Sequence, residues 1–322
     1  MSILITGAAG FIGYHLSKKI LNKNTEVIGI DNINNYYDIN LKKNRIKELK
    51  KNKKFQFYKI DICEYKKLND IVKKNKIKYI IHLAAQAGVR YSIKDPRTYF
   101  KSNLEGFFNV LEISRHNNIK HLIYASTSSV YGDSKKFPLS ETNRTDKPLS
   151  FYAATKKSNE VMAHSYSYIY KLPCTGVRFF TVYGPFGRPD MALFKFTKNI
   201  LNNQPIELYN KGNHFRDFTY IDDIVDGIYS LIKKQSKKSI PYEIFNIGNG
   251  TPKKLLDYLK HIEKNLNKIS KTKKLPLQVG DVVKTHSNIN KLKKYTGYKP
   301  KTNIKNGISR FIEWYKDYYR AN

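Results

Sequence analysis

The sequence predicts an α/β protein, a doubly wound parallel sheet with a smaller C-terminal α/β domain. Three observations predict it. Short apolar runs alternate with longer amphipathic ones up to residue 180, a glycine-rich turn follows the first run at once, and the alternation breaks after Tyr183 in Gly184-Pro185-Phe186-Gly187-Arg188-Pro189. Strands alternating with helices imply βαβ units, whose crossovers place the strands side by side and parallel.

Taken in order, residues 2–6 read as a buried strand and 11–21 as a helix with apolar residues at helical spacing. Further strands are expected over 26–31, 55–61, 79–84, 121–126 and 174–180, with helices over 68–75, 96–117 and 152–170. The second half carries helices over 192–201, 221–233 and 304–319. The middle one opens with Asp222-Asp223, where the helix dipole favours acids. The expected domains are 1–180 and, mainly, 181–322, with parts of 217–248 packing back on the first.

At 322 residues there is room for a full core. No apolar run approaches the roughly 18 residues that would span a bilayer, and no basic segment followed by an apolar one precedes the first strand, so a cytoplasmic protein without a membrane partner is expected. Cys63 and Cys174 have no metal-ligand spacing, so neither a disulfide nor a metal is expected. The formal charge of +33 invites a polyanion partner. However, the lysines are spread along the chain with Asn, Ile and Tyr, residues that AT-rich codons serve. The clusters at 42–54 and 233–238 also lack the interleaved aromatics of a base-stacking platform. A solvated surface without a nucleic-acid partner is the expectation, although such a field also attracts an anionic substrate.

Gly7-Ala8-Ala9-Gly10-Phe11-Ile12-Gly13 lies between the first strand and its helix. Gly7 permits the tight turn, Gly10 lets backbone approach a pyrophosphate, Gly13 lets helix pack on strand, and Phe11 and Ile12 open the helix at the phosphates. The same glycines also suit a purely structural turn. Asp31, about 20 residues on at the end of the second strand, can accept from both ribose hydroxyls and would repel a 2′-phosphate. That favours NAD over NADP, with a plain turn or cap residue as the alternative. Asp61 and Ile62 fall where an adenine edge would lie, and Leu83, Ala84 and Ala85 are small enough to sit beside phosphates. Asn103 is a cofactor candidate or a structural polar residue.

Tyr152 and Lys156 stand at i and i+4, on one helix face. A free tyrosine titrates near 10; a neighbouring ammonium and a cationic nicotinamide favour its phenolate and make it a usable base. Upstream, Ala125-Ser126-Thr127-Ser128-Ser129-Val130-Tyr131-Gly132 puts a hydroxyl cluster at a strand end. Together with the glycine turn, His82-Leu83-Ala84-Ala85 and the run from Arg216 to Asp223, the chain resembles the extended short-chain dehydrogenase/reductases, specifically nucleotide-sugar 4-epimerases. The runs 86–92 and 178–192 are similar to those of UDP-glucuronate 4-epimerases.

The resemblance implies a Rossmann-type NAD-binding domain over 1–180 and a nucleotide-sugar domain beyond it. It implies tightly held NAD, Tyr152 as base, Lys156 on the nicotinamide ribose, and Thr127 on the sugar 4-oxygen. The 4-keto acid formed loses carbon dioxide easily, and Thr127, Ser128, Ser129 and Thr181 are hydroxyls suited to hold its carboxylate. Related decarboxylases usually carry an acid at the position of Ser129, and related 4,6-dehydratases an Asp-Glu pair at Ser128-Ser129; this chain has neither. Arg188 and Arg216 are candidates for the diphosphate and Asp281 for the uridine ribose, while Arg90 suits a substrate or cofactor phosphate or equally an ordinary surface salt bridge; Arg188 and Asp281 also have purely structural readings. Val282-Val283 departs from the usual proline-like turn after Gly280-Asp281 and weakens the uridine end of the match. The resemblance further implies a homodimer through helices 96–117 and 152–170, and supply of capsule or other polysaccharide precursors. A UDP-glucose or UDP-N-acetylglucosamine 4-epimerase is the nearest alternative. A non-catalytic NAD-binding protein with a basic polyanion-binding surface is the alternative of a different class.

Overall fold

A computed structural model describes residues 2–321. Its first half runs β1 (Ser2–Thr6), α1 (Phe11–Asn22), β2 (Glu26–Asp31), α2 (Ile39–Lys50), β3 (Phe55–Lys59), α3 (Tyr65–Lys74) and β4 (Tyr79–His82). The short helices α4 (Tyr91–Lys94) and α5 (Pro96–Tyr99) follow, then α6 (Gly106–His116), β5 (His121–Thr127), α7 (Phe151–Tyr170) and β6 (Cys174–Phe179). The second half runs β7 (Thr181–Tyr183), α8 (Ala192–Leu201), β8 (Ile206–Leu208), β9 (Phe215–Arg216), β10 (Phe218–Tyr220), α9 (Ile221–Leu231) and β11 (Tyr242–Ile247). It ends with β12 (Lys253–Lys254), α10 (Leu255–Leu266), β13 (Thr272–Lys274), α11 (Asn290–Thr296) and α12 (Ile304–Tyr319).

Seven strands form one parallel sheet in the order β11-β6-β5-β4-β1-β2-β3. The order reverses between β1 and β4, and Thr6 pairs with both Ile30 and His82, so the carboxyl ends of these strands lie level. Ligands of open α/β sheets bind in the crevice that such a reversal opens. The remaining strands make three two-stranded sheets, β7 with β10, β8 with β13 and β9 with β12.

The expected helix over 96–117 is one helical path broken twice. Asp95 caps its start, accepting from the Thr98 N–H at 3.1 Å, and Phe100–Glu105 winds as a π-helical turn between α5 and α6. The wider turn faces Asn103 inward, where its amide is consumed by protein partners. Helix α2, not expected from the sequence, is rich in Lys and Asn; only Leu41, Ile46 and Leu49 give it an apolar side, and Asp38 caps it through the Asn40 N–H at 2.8 Å.

Residues 217–248 contribute to the first half: β11 extends the sheet beside β6, and α9 packs on α1, where Lys19 pairs with Asp226. One apolar cluster runs from Ile3 and Val27 through Val177 to Leu193, Tyr258 and Phe311. The halves therefore share a core. Helix α12 ties them again, with Tyr318 bonded to Asn44 of α2 and Trp314 packed on Phe186, which itself meets Tyr14 of α1, each ring pair 4.9 Å between centres.

Candidate active site

A cleft of about 1150 Å³ opens along the carboxyl ends of the strands. Its floor is the glycine turn. Gly7 has φ +74° and its carbonyl accepts from the Gly10 N–H at 2.9 Å. A side chain at Gly7 would meet the Ala84 nitrogen at 2.8 Å, and one at Gly13 would stand 2.1 Å from the Gly7 oxygen. No side chain caps α1 at Gly10. The first-turn N–H groups of the helix, with Phe11 and Ile12 on the cleft wall, are thus available to an anion. This bare cradle fits a dinucleotide's pyrophosphate.

Asp31 is fastened at the end of β2, accepting from Ile33 N–H at 2.8 Å and Ala9 N–H at 3.1 Å. Burial raises its pKa against those bonds and the nearby Lys42. Lys42 in turn donates to the Asn34 carbonyl at 2.8 Å, and burial lowers its pKa to about 8. Burial alone would raise the Asp61 carboxyl, but the Cys63 N–H and the Asn32 amide outweigh it and hold it low. Asp61, Ile62, Leu83, Ala84 and Ala85 all line the cleft.

Asn103 does not line it, unlike the other expected cofactor residues. Its amide accepts from Gln86 N–H at 2.8 Å and donates to the Gln86 carbonyl and Thr155 Oγ1, both at 3.0 Å. With both amide hydrogens bonded to protein, it braces the 83–90 loop.

At the centre of the cleft Tyr152, Lys156, Thr127, Ser128, Ser129 and Thr181 converge. Helix α7 is set by Ser150, whose hydroxyl accepts from Ala153 N–H at 3.2 Å. One turn beyond Lys156, Glu160 forms a bidentate pair with Arg178 of β6 at 2.8 Å and accepts from Ser126 at 2.6 Å, bolting α7 to β5 and β6. Thr127 Oγ1 accepts from Ser129 N–H and donates to Ser129 Oγ, both at 3.2 Å. Burial raises the Tyr152 pKa above the ordinary tyrosine value, and a hydrogen bond with Thr127 and the charge of Arg188 pull the other way. The expected help from Lys156 is not part of that balance. Its ammonium donates to the Ala125 carbonyl at 3.0 Å, and burial lowers its pKa to about 8.

Arg188, expected at the diphosphate with Arg216, lines the same cleft. Its guanidinium grips Asp190 through Nε at 3.0 Å and a second nitrogen at 2.5 Å, and its charge acts on Tyr36 and Tyr152. Tyr36 donates to the same Asp190 at 3.1 Å. Arg188 is therefore within electrostatic reach of Tyr152. Arg216, Arg90 and Asp281 form a second charged cluster on the cleft wall: the carboxylate lies 3.4 Å from Arg216 and 3.6 Å from Arg90, whose guanidinium stacks 4.4 Å from the Tyr209 ring centre. Asp281 thus sits between two guanidinium groups.

Several residues that line this site or lie behind its walls were not singled out in the sequence. Asp190 and His214 lie two residues from arginines that were. Arg45 is fully buried, linking the Ala9, Phe186 and Gly187 carbonyls to Tyr37, yet it lies in a lysine-rich run that reads as surface. Among the described residues no cluster of metal-ligating side chains occurs and no helix is long and apolar enough to cross a membrane.

Comparison with known proteins gives a consistent picture. Residues 3–248 match the family described as NAD dependent epimerase/dehydratase family. The chain is 50% identical to Protein CapI of Staphylococcus aureus, over 99% of this chain and 100% of the relative. It is 43% identical to UDP-glucuronate 4-epimerase 1 of Arabidopsis thaliana, over 100% of this chain and 78% of the relative. The crystal structure of UDP-glucuronic acid 4-epimerase from Bacillus cereus, in complex with UDP-glucuronic acid and NAD, superposes with a TM-score of 0.93 at 36% identity, covering 99% of this chain and 100% of that one.

Proposed function

We propose for this chain, which belongs to the NAD dependent epimerase/dehydratase family, that it converts UDP-glucuronate to UDP-galacturonate through a 4-keto sugar, without loss of carbon dioxide. The observation that carries this reading is the meeting of Tyr152 with Thr127-Ser128-Ser129 in the cleft, a base beside hydroxyls with no acid among them. Bound NAD supplies the hydride acceptor and, after the sugar has turned, the donor. Its pyrophosphate belongs at Gly7, Gly10 and Gly13 with Phe11 and Ile12, its adenosine at Asp31, Asp61 and Ile62, and its nicotinamide side near Leu83, Ala84, Ala85 and Lys156.

Tyr152 takes the proton of the sugar 4-hydroxyl as the C4–H bond breaks, and Thr127 donates a hydrogen bond to the same oxygen. Tyr152 returns that proton when the hydride comes back to the opposite face. The keto acid between these steps decarboxylates when the carboxylate bond aligns with the ketone. Ser128, Ser129 and Thr181 hold the carboxylate out of that alignment, no carboxylic acid stands among them to protonate the carbanion, and Asp190, despite its burial, is held ionised by Arg188. Arg188, placed beside Tyr152 and paired with Asp190, belongs with the sugar. Arg216 and Arg90 take the diphosphate, and Asp281 neighbours the uridine ribose.

The relative named CapI supports a place in capsule precursor supply. A homodimer is supported by Phe108 of α6 and Val161, Tyr168 and Ile169 of α7, apolar residues exposed on neighbouring helices. A cytoplasmic location is supported by two free cysteines. The test is chromatography of products from UDP-glucuronate with carbon dioxide measured alongside. UDP-galacturonate without gas is expected; turnover of UDP-glucose or UDP-N-acetylglucosamine but not of the acid would refute the substrate.

A further inference from the structure

The cluster around Asp281 holds a side chain for which the proposed reaction has no task. His214 is 4% exposed and lines the cleft. Its Nε2 is buried without a hydrogen-bond partner, although Asp281 Oδ2 lies 3.9 Å away. Arg216 and Arg90 approach the same carboxylate at 3.4 and 3.6 Å. Three nitrogen-bearing side chains thus surround one aspartate, Arg90 from the first half of the chain and the other two from the second. Two fixed positive charges against one negative leave the cluster a net attraction for an anion.

We propose that His214 is a conditional third cation of the diphosphate site, neutral in the free protein and protonated when a nucleoside-diphosphate sugar docks on Arg216 and Arg90. This rests on the reading of the substrate as a UDP-sugar. Burial and the two arginines disfavour the imidazolium and lower its pKa in the free protein, with Asp281 and the Tyr209 carbonyl opposing them. These groups come from the 209–212 turn, from β9, from the 281–285 segment and from the 83–90 loop; the β12–α10 junction, whose Leu255 N–H donates to the His214 carbonyl at 2.8 Å, brings the further cations Lys253 and Lys254 alongside β9. The Tyr209 phenol, raised by its hydrogen bond to Glu207, stays protonated throughout. A diphosphate brings two negative charges within reach of Nε2, and opposite charge favours the charged form. One proton is then taken from solvent as the complex forms. By linkage, binding tightens as pH falls.

Binding of UDP-glucose to the NAD-loaded protein tests this, because its phosphodiester groups do not titrate near neutrality. Calorimetry in two buffers of different ionisation enthalpy counts the protons. The expected result is uptake approaching one proton, with Kd roughly 3- to 10-fold lower near pH 6 than near pH 8. His214→Gln is expected to abolish both effects, and His214→Lys to bind tightly at either pH. The proposal is overturned if His214→Gln keeps the wild-type slope and proton count while Arg216→Ala weakens binding at both pH values. If Arg216→Ala binds as the wild type does, the diphosphate reading itself fails.

Discussion

The Tyr152 phenol is poised on the wrong side of its task in the bare protein. Burial raises its pKa, and Lys156 is turned to the Ala125 carbonyl instead of to the phenol. A base of this kind becomes effective when positive charge arrives beside it, and its rate follows the deprotonated fraction. The rate with UDP-glucuronate is therefore expected to rise with pH along an acid limb. Lys156→Met, which removes the one ammonium on the same helix face, should shift that limb upward, as a pH–rate profile would reveal; an unmoved limb would remove Lys156 from the tuning. Tyr152→Phe should lower kcat by about 10²- to 10⁴-fold, the usual worth of a positioned acid–base group. The spacing of Tyr152 and Lys156 was legible in the sequence, but their present partners were not, since Ala125 contributes only a backbone oxygen.

At the scale of elements, the pairing of α7 with β5 and β6 decides whether Tyr152 stands over Thr127. The Glu160–Arg178 pair is buried on both sides, with Arg178 also 4.8 Å from the Tyr131 ring centre. Removing one partner leaves an uncompensated buried charge, so Glu160→Ala is expected to cost about 3–5 kcal/mol of stability. The double variant Glu160→Met with Arg178→Met should cost much less, and denaturant melts of the three proteins would show it. Equal losses in single and double variants would mean that the pair is not what holds the helix. Strands with continuous apolar runs, such as β1 and β5, could be read from the sequence because burial on both faces leaves no ambiguity. The π-turn at Phe100–Glu105 could not, because it follows from the fit of one amide, Asn103, between Gln86 and Thr155. Helix α2 escaped for the opposite reason: its capping Asp38 is a clear signal, but its apolar face is only three residues wide.

On the scale of the whole molecule, the formal charge of +33 is carried largely by lysines, few of which reach the cleft, where Arg188 and Arg216 pair with aspartates. Lysine content therefore said little about the site. The exposed apolar residues of α6 and α7 said more, since Val161, Tyr168 and Ile169 form an uncovered face on a helix whose other face carries Lys156. Val161→Glu is expected to shift the protein toward monomers in light scattering. An unchanged mass would place the contact elsewhere or exclude it. The sharing of segments 217–248 with the first half shows why a cut near residue 180 describes the chain but not its packing.

The apolar cluster that joins β1 to α12 has a consequence for the chemistry's fidelity. Two lobes with a common interior cannot swing apart without exposing it to water, at about 25 cal/mol for each Å² of apolar surface uncovered. A ketone that must turn over before it is reduced is then confined by walls that move as one body. Loss of that ketone by separation of the lobes is thereby opposed by the core they share.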